Sequence, residues 1–391
     1  KMNCELKRNI NSDIIERLSK GSFDPTTIGL SSDFLLTKLT KAKGCGCKVK
    51  RDILQSLLKN LESDFNEIDN EIGIGLDCAV TPLKYKDMFL VETTDFFYPL
   101  VDDPYLQGRI TIANVLSDLF AMGVTECDNV LMLLGVYQDF NDNERDIVIK
   151  EFMKGFKDGA TIIGTKVRGG QTVKCPWLLL GGTASSVLMK NDFLDIKRAQ
   201  PGDLLVLTKP IGGQIAVNAY EWSKINKERV KGLNIKNIDE KIIESYKQIC
   251  EQMCRLNINA AILAKKFDAH ACTDVTGFGI LGHADNLARA QRNKVKFVIE
   301  SVPTVKNVID IAKNMDGGNG FNLFSGTAAE TSGGLLMAIN SEKAEEFIEE
   351  YKAIDGFPAW IIGRVMEQND RLTNYAVISD NCNFFETNIS F

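Results

Sequence analysis

The chain has 391 residues, 44% of them apolar and 25% charged, with a formal net charge of −6. That length exceeds one ordinary hydrophobic core and predicts two domains of roughly 150 to 200 residues each. The acidic balance leaves no excess of cations to neutralise phosphates, which argues against nucleic-acid and membrane-surface binding. Because the sequence shows neither an apolar run of membrane-spanning length nor a signal-peptide core, we expect a cytoplasmic protein.

Residues 1–70 are predicted to form a mobile N-terminal arm that ends in a loop bearing cysteine and lysine. The first 43 residues are charged and hold one short apolar patch, too little for a core of their own, so we expect a lid. Apolar residues at helical spacing over 51–64 predict that the loop continues into a helix.

Residues 71–191 alternate between strand and helix patterns, which predicts an α/β domain. Short runs rich in β-branched and other apolar residues predict strands at 88–92, 130–136 and 178–189. Apolar residues at helical spacing predict helices at 108–123 and 144–159.

A second domain is predicted over residues 197–391, after a turn signal, Gln-Pro-Gly-Asp, at 200–203. The domain contains strand patterns at 204–208, 295–300, 335–339 and 360–365. Helical patterns lie between them, at 239–267, from 305 and at 341–351. This mixed order predicts α+β layers.

The stretch Gly44-Cys45-Gly46-Cys47-Lys48 carries two thiols one residue apart beside an ammonium group. Positive charge nearby should lower the pKa of a thiol and make it a soft nucleophile. The glycines permit backbone angles that a helix or strand would not hold, which predicts a mobile loop. Structural zinc is the alternative, but it needs four ligands, and the chain offers no second close cysteine pair and only two histidines.

The ten cysteines are scattered along the chain without the dense framework of a small secreted fold, so we expect reduced thiols.

Four aspartates stand where predicted elements end: Asp77, Asp95, Asp118 and Asp274. Each has apolar neighbours, so packing would draw these carboxylates to a cleft, where an unpaired carboxylate is costly unless it meets a cation. Hard oxygen ligands helped by nucleotide phosphates suit Mg²⁺. The plain alternative for any one of them is a helix cap or a turn.

Two glycine-rich segments are candidate phosphate sites. Gly169-Gly170-Gln171-Thr172 could direct successive backbone N–H groups at an anion, although most Gly-Gly pairs are turns. No Gly-x-x-x-x-Gly-Lys-Ser/Thr motif occurs, which excludes an ordinary P-loop.

Residues 277–282, Gly-Phe-Gly-Ile-Leu-Gly, match the dinucleotide-binding fingerprint, with Glu300 where a ribose-binding acid would lie. Asp274 would repel a pyrophosphate there unless a metal intervened. A helix that starts close behind a metal-bearing strand is therefore favoured over a Rossmann oxidoreductase, and His283 is expected to be a buried, hydrogen-bonded residue.

Taken in chain order, these motifs resemble those of selenophosphate synthetase (selenide, water dikinase). The resemblance runs from about residue 40 to about residue 365 and rests on Gly-Cys-Gly-Cys-Lys, Thr-Thr-Asp-Phe-Phe, Gly-Arg-Ile, Ser-Asp-Leu-Phe-Ala-Met-Gly, Gly-Gly-Gln-Thr, Thr-Asp-Val-Thr-Gly-Phe-Gly-Ile-Leu-Gly-His and Glu-Thr-Ser-Gly-Gly-Leu-Leu.

The resemblance implies an enzyme that makes selenophosphate from selenide, ATP and water and releases AMP and phosphate. It implies Mg²⁺ as cofactor, and selenide or a selenium-delivery protein as partner. The implied fold is that of aminoimidazole ribonucleotide synthetase, with an N-terminal α/β domain that forms a β-barrel across a homodimer and a C-terminal α+β domain.

Roles for particular residues also follow from the resemblance. Cys45 would handle selenium, Lys48 would contact ATP phosphates, and Cys47 would be a less essential second thiol. The implied magnesium ligands are Asp77, Asp118 and Asp274. The implied ATP site is lined by Lys48, Gly75, Leu76, Asp77, Asp95, Asp118, Gly169, Gly170, Gln171 and Thr172.

One departure from the family pattern and two alternative functions remain open. Ala-Ala-Glu precedes Thr331 where some bacterial members have Asp-Pro-Gln, so the contribution of that segment is open. A related ATP-dependent kinase or ligase acting on a purine or thiamine precursor would not need Cys45. A nucleotide-binding regulator would bind ATP without turnover.

Overall fold

The computed structural model describes residues 12–62, 73 and 75–387 and contains two β-sheets with helices packed on them. The strands of the first sheet end at Met189 and those of the second begin at Leu204. The predicted arm residues 1–11 and the end of the predicted helix, from residue 63 onward, lie outside the described residues.

The first sheet has five strands in the order β1-β2-β5-β3-β4, parallel between β3 and β4 and antiparallel elsewhere. Within one chain it is open, with β1 and β4 at its edges. The elements up to its end are α1 (Ser12–Ser19), α2 (Arg51–Glu62), β1 (Ala79–Pro82), β2 (Met88–Phe97), α3 (Pro104–Ala121), β3 (Asn129–Tyr137), α4 (Asp142–Ile162), β4 (Val167–Cys175) and β5 (Leu179–Met189).

The second sheet has six strands in the order β11-β8-β10-β6-β9-β7, parallel only between β11 and β8. Its elements are β6 (Leu204–Leu207), α5 (Gly213–Ile225), α6 (Lys227–Gly232), α7 (Ile238–Cys254), α8 (Ile258–Lys266), β7 (Ala271–Asp274), α9 (Gly279–Arg289), β8 (Val295–Thr304), α10 (Val308–Lys313), β9 (Leu335–Ile339), α11 (Ser341–Asp355), β10 (Trp360–Glu367) and β11 (Tyr375–Glu386).

This topology settles the dinucleotide-fold alternative. Three strands, β10, β6 and β9, separate β8 from β7 in the sheet, so α9 is not the crossover of a parallel βαβ unit. The Rossmann interpretation is therefore wrong. The favoured prediction, a helix that starts directly behind a strand ending in Asp274, is confirmed because α9 begins at Gly279.

Helix α3 forms the centre of the molecule and is buried along its whole length. Most of its residues are apolar, but Gln107, Thr111, Asn114 and Asp118 form a buried polar stripe at helical spacing. Its start at Pro104 is fixed by the Asp103 side chain, which accepts hydrogen bonds from the backbone N–H groups of Tyr105 and Leu106. It packs against β2 and β5 of the first sheet and against α7 and β7 of the second domain, so its side chains reach both.

Two glycines allow α3 and α4 to touch through their backbones. A Cβ on Gly108 would lie 2.2 Å from the carbonyl oxygen of Phe152, and one on Gly155 would lie 2.1 Å from that of Tyr105. No larger residue fits at either position.

In this conformation the described part of the arm is packed against both domains. Ile14, Leu18 and Leu36 are buried, and Arg17 pairs with Asp103 at 2.5 Å. The arm therefore contributes to the core, although its sequence alone holds too few apolar residues for one.

The nine cysteines of the described residues form no disulfide, in line with the expectation of reduced thiols. No helix within the described ranges is both long enough and apolar enough to cross a membrane.

Candidate active site

A cavity of about 680 Å³ lies between the two domains, a volume typical of small-molecule sites. Strand β2 and helix α3 contribute to its walls from the first domain, and β7 and α9 contribute from the second. Helix α2 closes one side with Leu54, Gln55 and Leu58.

The start of α2 is held on α9 by Arg51, a residue that sequence reasoning did not single out. Its Nη2 lies 2.6 Å from Asp285 Oδ2, and its Nε donates to Asn286 Oδ1 at 2.6 Å. These contacts join residues more than 230 positions apart, so only the fold brings them together.

All four aspartates singled out from the sequence line this cavity. Asp95 lies within β2, because the predicted strand 88–92 continues to Phe97. Asp118 projects from α3, Asp274 ends β7, and Asp77 precedes β1. Gly75 and Leu76, which the resemblance assigns to the nucleotide site, line it too.

Two of these carboxylates each have one oxygen without a hydrogen-bond partner among the described residues, Asp77 Oδ2 and Asp274 Oδ2. Burial and the negative charge of Asp274 raise the pKa of Asp77 well above its usual value. Burial also raises the pKa of Asp274 to about 6. Buried, mutually repelling carboxylates are costly unless a cation joins them, so this donor set fits a divalent metal ion.

Asp118 adds a third carboxylate to the group. Its Oδ2 accepts a hydrogen bond from Thr93 Oγ1 at 2.6 Å. Burial, followed by the charges of Asp274 and Asp95, raises the pKa of Asp118 well above its usual value. Oxygen-only donors of this kind are the ligands that Mg²⁺ prefers.

His283 adds a nitrogen donor to the group. One ring nitrogen of His283, one carboxylate oxygen of Asp77 and one carboxylate oxygen of Asp274 all lie within 4.8 Å of one another. Burial lowers the pKa of His283 to about 3, so the ring is neutral, and its Nε2 accepts from the backbone N–H of Phe278 at 3.4 Å. Within the described part of the chain this is the only such three-residue cluster, and it holds no cysteine, so Cys45 and Cys47 take no part in it.

The cysteine loop is folded as a short 3-10 helix, Cys45–Cys47, seated against both domains. The backbone N–H of Gly44 donates to Tyr98 O at 3.0 Å, and that of Cys45 donates to Thr331 Oγ1 at 3.0 Å. Gly44 has φ 48°, and a Cβ there would lie 2.4 Å from Leu100 Cδ2, so this seat requires glycine.

The thiol of Cys45 is buried, with 2% of the residue exposed, and its Sγ donates to Asn114 Oδ1 at 3.6 Å. Burial raises the pKa of Cys45, and the charge of Lys48 only partly offsets this. The expectation of a lowered thiol pKa is therefore wrong for this conformation. A reactive thiolate requires the loop to move.

Lys48 projects into the large cavity. Its Nζ lies 3.9 Å from Asp95 Oδ1 and 5.5 Å from the centre of the Phe278 ring. Burial alone would lower the pKa of Lys48, but the charge of Asp95, helped by those of Asp118 and Asp274, raises it above its usual value. The side chain thus carries a positive charge next to the acidic group.

Asn114 connects the thiol to the acidic group, a role that sequence analysis did not assign. Its Nδ2 donates to Asp95 Oδ2 at 2.9 Å, and its Oδ1 accepts from the backbone N–H of Ser332 at 2.7 Å as well as from Cys45. Asn114 is fully buried, so its orientation is fixed by these three contacts.

The segment Gly169–Thr172 does not line the cavity of its own chain. It forms part of edge strand β4 and borders a separate cavity of about 620 Å³ beside α4. Gly170 has φ 144°, and a Cβ there would lie 1.8 Å from Met132 O. Gly170 thus serves the close approach of β3 and β4, and the segment forms a strand and not a turn.

The Ala-Ala-Glu segment has a structural role that its sequence left open. Glu330 is buried, and its carboxylate accepts hydrogen bonds from the backbone N–H groups of Gly212 and Gly213 at the start of α5. Burial nevertheless raises the pKa of Glu330 from 4.5 to about 8, and the two N–H donors offset only part of this rise.

We expect Glu330→Gln to stabilise the protein relative to wild type more strongly at pH 9 than at pH 6. Between pH 4.5 and 8 the folded wild type keeps a proton that the unfolded chain releases, so its free energy of unfolding falls as pH rises. The uncharged amide avoids that loss. Thermal melts at both pH values check this, with exposed Glu349→Gln as control; an offset from wild type that is the same at both pH values would contradict it.

Comparison with known proteins agrees with this architecture. Residues 75–188 match the family model "AIR synthase related protein, N-terminal domain", and residues 200–373 match its C-terminal counterpart. A probable selenide, water dikinase of Caenorhabditis elegans is 56% identical over 353 residues, covering 90% of this chain and 93% of that protein. Selenide, water dikinase 3 of Danio rerio is 46% identical over 385 residues, covering 89% and 86%.

Among solved structures, AaThiL complexed with AMPPCP and TMP has a TM-score of 0.60 at 19% identity and covers 85% of this chain and 94% of its own. At that identity the likeness establishes the fold. The two-domain architecture implied by the resemblance is therefore confirmed.

Proposed function

Because the chain belongs to the selenide, water dikinase family, we propose that it makes selenophosphate from selenide, ATP and water and releases AMP and phosphate. The observation that carries this proposal is the single cavity in which four aspartates and Lys48 meet beside the Cys45 loop. Acidic groups that need a cation, next to a cation on a loop, suit a metal-bound triphosphate.

The residues present fit Mg²⁺, which Asp77, Asp118 and Asp274 would hold. The partnerless oxygens of Asp77 and Asp274 support this assignment. When bound, the metal ion neutralises triphosphate charge and so favours attack on the γ-phosphoryl group by positioning and electrostatics. Lys48 binds and orients the phosphates from the opposite side, and Asp95 holds its ammonium at 3.9 Å until nucleotide arrives.

Cys45 handles selenium without a change of oxidation state: its thiolate can accept the proton of hydrogen selenide as selenium attacks the γ-phosphoryl group. Its burial means that the loop must open before the sulfur can react, and few hydrogen bonds hold the loop shut. Each is worth about 1 kcal/mol, so opening is accessible at modest cost. Closure then excludes water, which protects an activated phosphoryl species from hydrolysis.

We propose a cytoplasmic homodimer in which the first sheets of two chains join into a barrel. Edge strand β4 is largely exposed. The first sheet also exposes apolar side chains to solvent: Phe96 is 59% exposed and Val173 is 51% exposed. Exposed apolar sheet surface of this kind favours association. In such a dimer Gly169–Thr172 would reach the nucleotide of the partner, since they lie apart from the cavity of their own chain.

The deciding experiment is ³¹P NMR of the purified protein with ATP, Mg²⁺ and selenide under anaerobic conditions. We expect a new phosphorus–selenium resonance, together with AMP and phosphate. Formation of ADP with an organic acceptor, independent of Cys45, would instead favour a kinase of the same fold. ATP binding without any turnover would favour a regulator.

A further inference from the structure

A second, smaller cavity of about 290 Å³ lies on the other side of the cysteine loop. Gly46 and Cys47 form one wall, and Gln214, Val217 and Asn218 of α5 form another. It is well below the size of the nucleotide cavity, but it has room for several water-sized groups, each of which occupies about 30 Å³.

The loop separates the two cavities. Lys48 lines the large cavity, whereas Gly46 and Cys47 line the small one. Cys45 lies between the two cavities. Its backbone N–H donates a hydrogen bond to Thr331, which lines the small cavity. Its Sγ contacts Asn114, and Asn114 in turn donates to Asp95, which lines the large cavity. A small opening of the loop would expose the Cys45 thiol to both sides.

The two cavities differ in charge. The large one is lined by two cations, Lys48 and Arg51, which are outnumbered by five carboxylates: Glu92, Asp77, Asp95, Asp118 and Asp274. The only charged residues lining the small one, in the described part of the chain, are Lys41 and Lys43.

Lys43 is paired with Glu221 at 2.9 Å. Lys41 is exposed and forms no ion pair with any residue that the structure describes. A small anion is therefore repelled by one entrance and attracted by the other.

We propose that the small cavity is the entrance and holding site for the hydrogen selenide anion, which reaches Cys45 from this side while nucleotide occupies the other. The inference rests on the proposed function and adds the route of its second substrate. Lys41 supplies the attracting charge, and the Cys47 thiol and the Gln214 amide supply adaptable contacts for a soft, weakly hydrated anion. Separate entrances let selenide bind without displacing ATP.

Steady-state kinetics of Lys41→Glu test this route. We expect the KM for selenide to rise about tenfold, since two units of charge change near the cavity, while the KM for ATP stays the same. Lys38→Glu is the matched control, because Lys38 is exposed, lies three residues away and does not line the cavity. An unchanged KM for selenide, or an equal rise in both variants, would overturn the proposal.

A second measurement needs no turnover. In nucleotide-free protein, Cys47 should react faster with an anionic than with a cationic methanethiosulfonate reagent, as read by peptide mass spectrometry, and Lys41→Glu should reverse that order. Equal rates would overturn the cationic entrance even if selenophosphate is made. A protein that shows the charge preference but yields no selenophosphate would instead refute the proposed function, and the selenide assignment with it.

Discussion

We expect Cys45→Ser to lower the yield of selenophosphate at least about 100-fold while ATP affinity stays within about twofold of wild type. The serine hydroxyl fills the same space and can donate to Asn114 Oδ1, so the closed loop should persist. A hydroxyl is far less acidic than a thiol, however, and cannot supply the anion that accepts the proton of hydrogen selenide. The yield is measured by ³¹P NMR and the affinity by calorimetry.

The matched control is Cys127→Ser, which should keep the wild-type yield. Cys127 is partly buried, its Sγ donates to Asn129 O at 3.3 Å, and a hydroxyl can make the same contact. A wild-type yield from Cys45→Ser would remove the thiol from the mechanism. A parallel loss of ATP affinity would show that Cys45 acts by shaping the nucleotide cavity.

The sequence was sufficient to predict that the four aspartates share a site, although it did not single out Glu92, which lines the same cavity. Each of the four aspartates follows or interrupts an apolar run, and the packing of those runs forces their polar residues to a common edge. Asp274 is the clearest case, because β7 is fully buried and the carboxylate at its end can face only the cavity. Many strands and helices were also predictable from periodicity, with errors at their ends, but some elements were not predicted at all, among them α1, α5 and β11.

What sequence could not supply were contacts between distant residues. The pKa of Cys45 depends on burial by Thr331, Asn114 and other distant residues, and this outweighs the neighbouring lysine visible in the sequence. Asn114 is oriented between the thiol and the acidic group partly by a hydrogen bond from the backbone N–H of Ser332, which is 218 positions away in the sequence. Gly169 and Gly170 are compatible with either a turn or a strand, and only pairing with β3 decides between the two.

We expect Asp118→Asn to weaken magnesium-dependent ATP binding about 100-fold and to raise the melting temperature of the metal-free protein. The amide keeps an oxygen that can accept from Thr93, so the local fold should be retained. The substitution removes one of several buried carboxylates that repel one another, and this stabilises the metal-free protein. It also removes a negative charge that a bound cation needs, and this weakens metal binding. Calorimetry with Mg²⁺ and thermal melts in chelator measure the two effects.

The opposite signs of the two effects separate a metal ligand from a merely structural aspartate. Asp195→Asn is the control, since Asp195 is exposed, pairs with Arg292 at 2.6 Å and lies outside the cavity, so neither quantity should change. In chelator, Asp118→Asn should bind ATP no more weakly than wild type, because the lost interaction runs through the cation. An Asp118→Asn protein that binds ATP normally with Mg²⁺, or that loses affinity equally in chelator, would contradict the assignment of Asp118 to the metal.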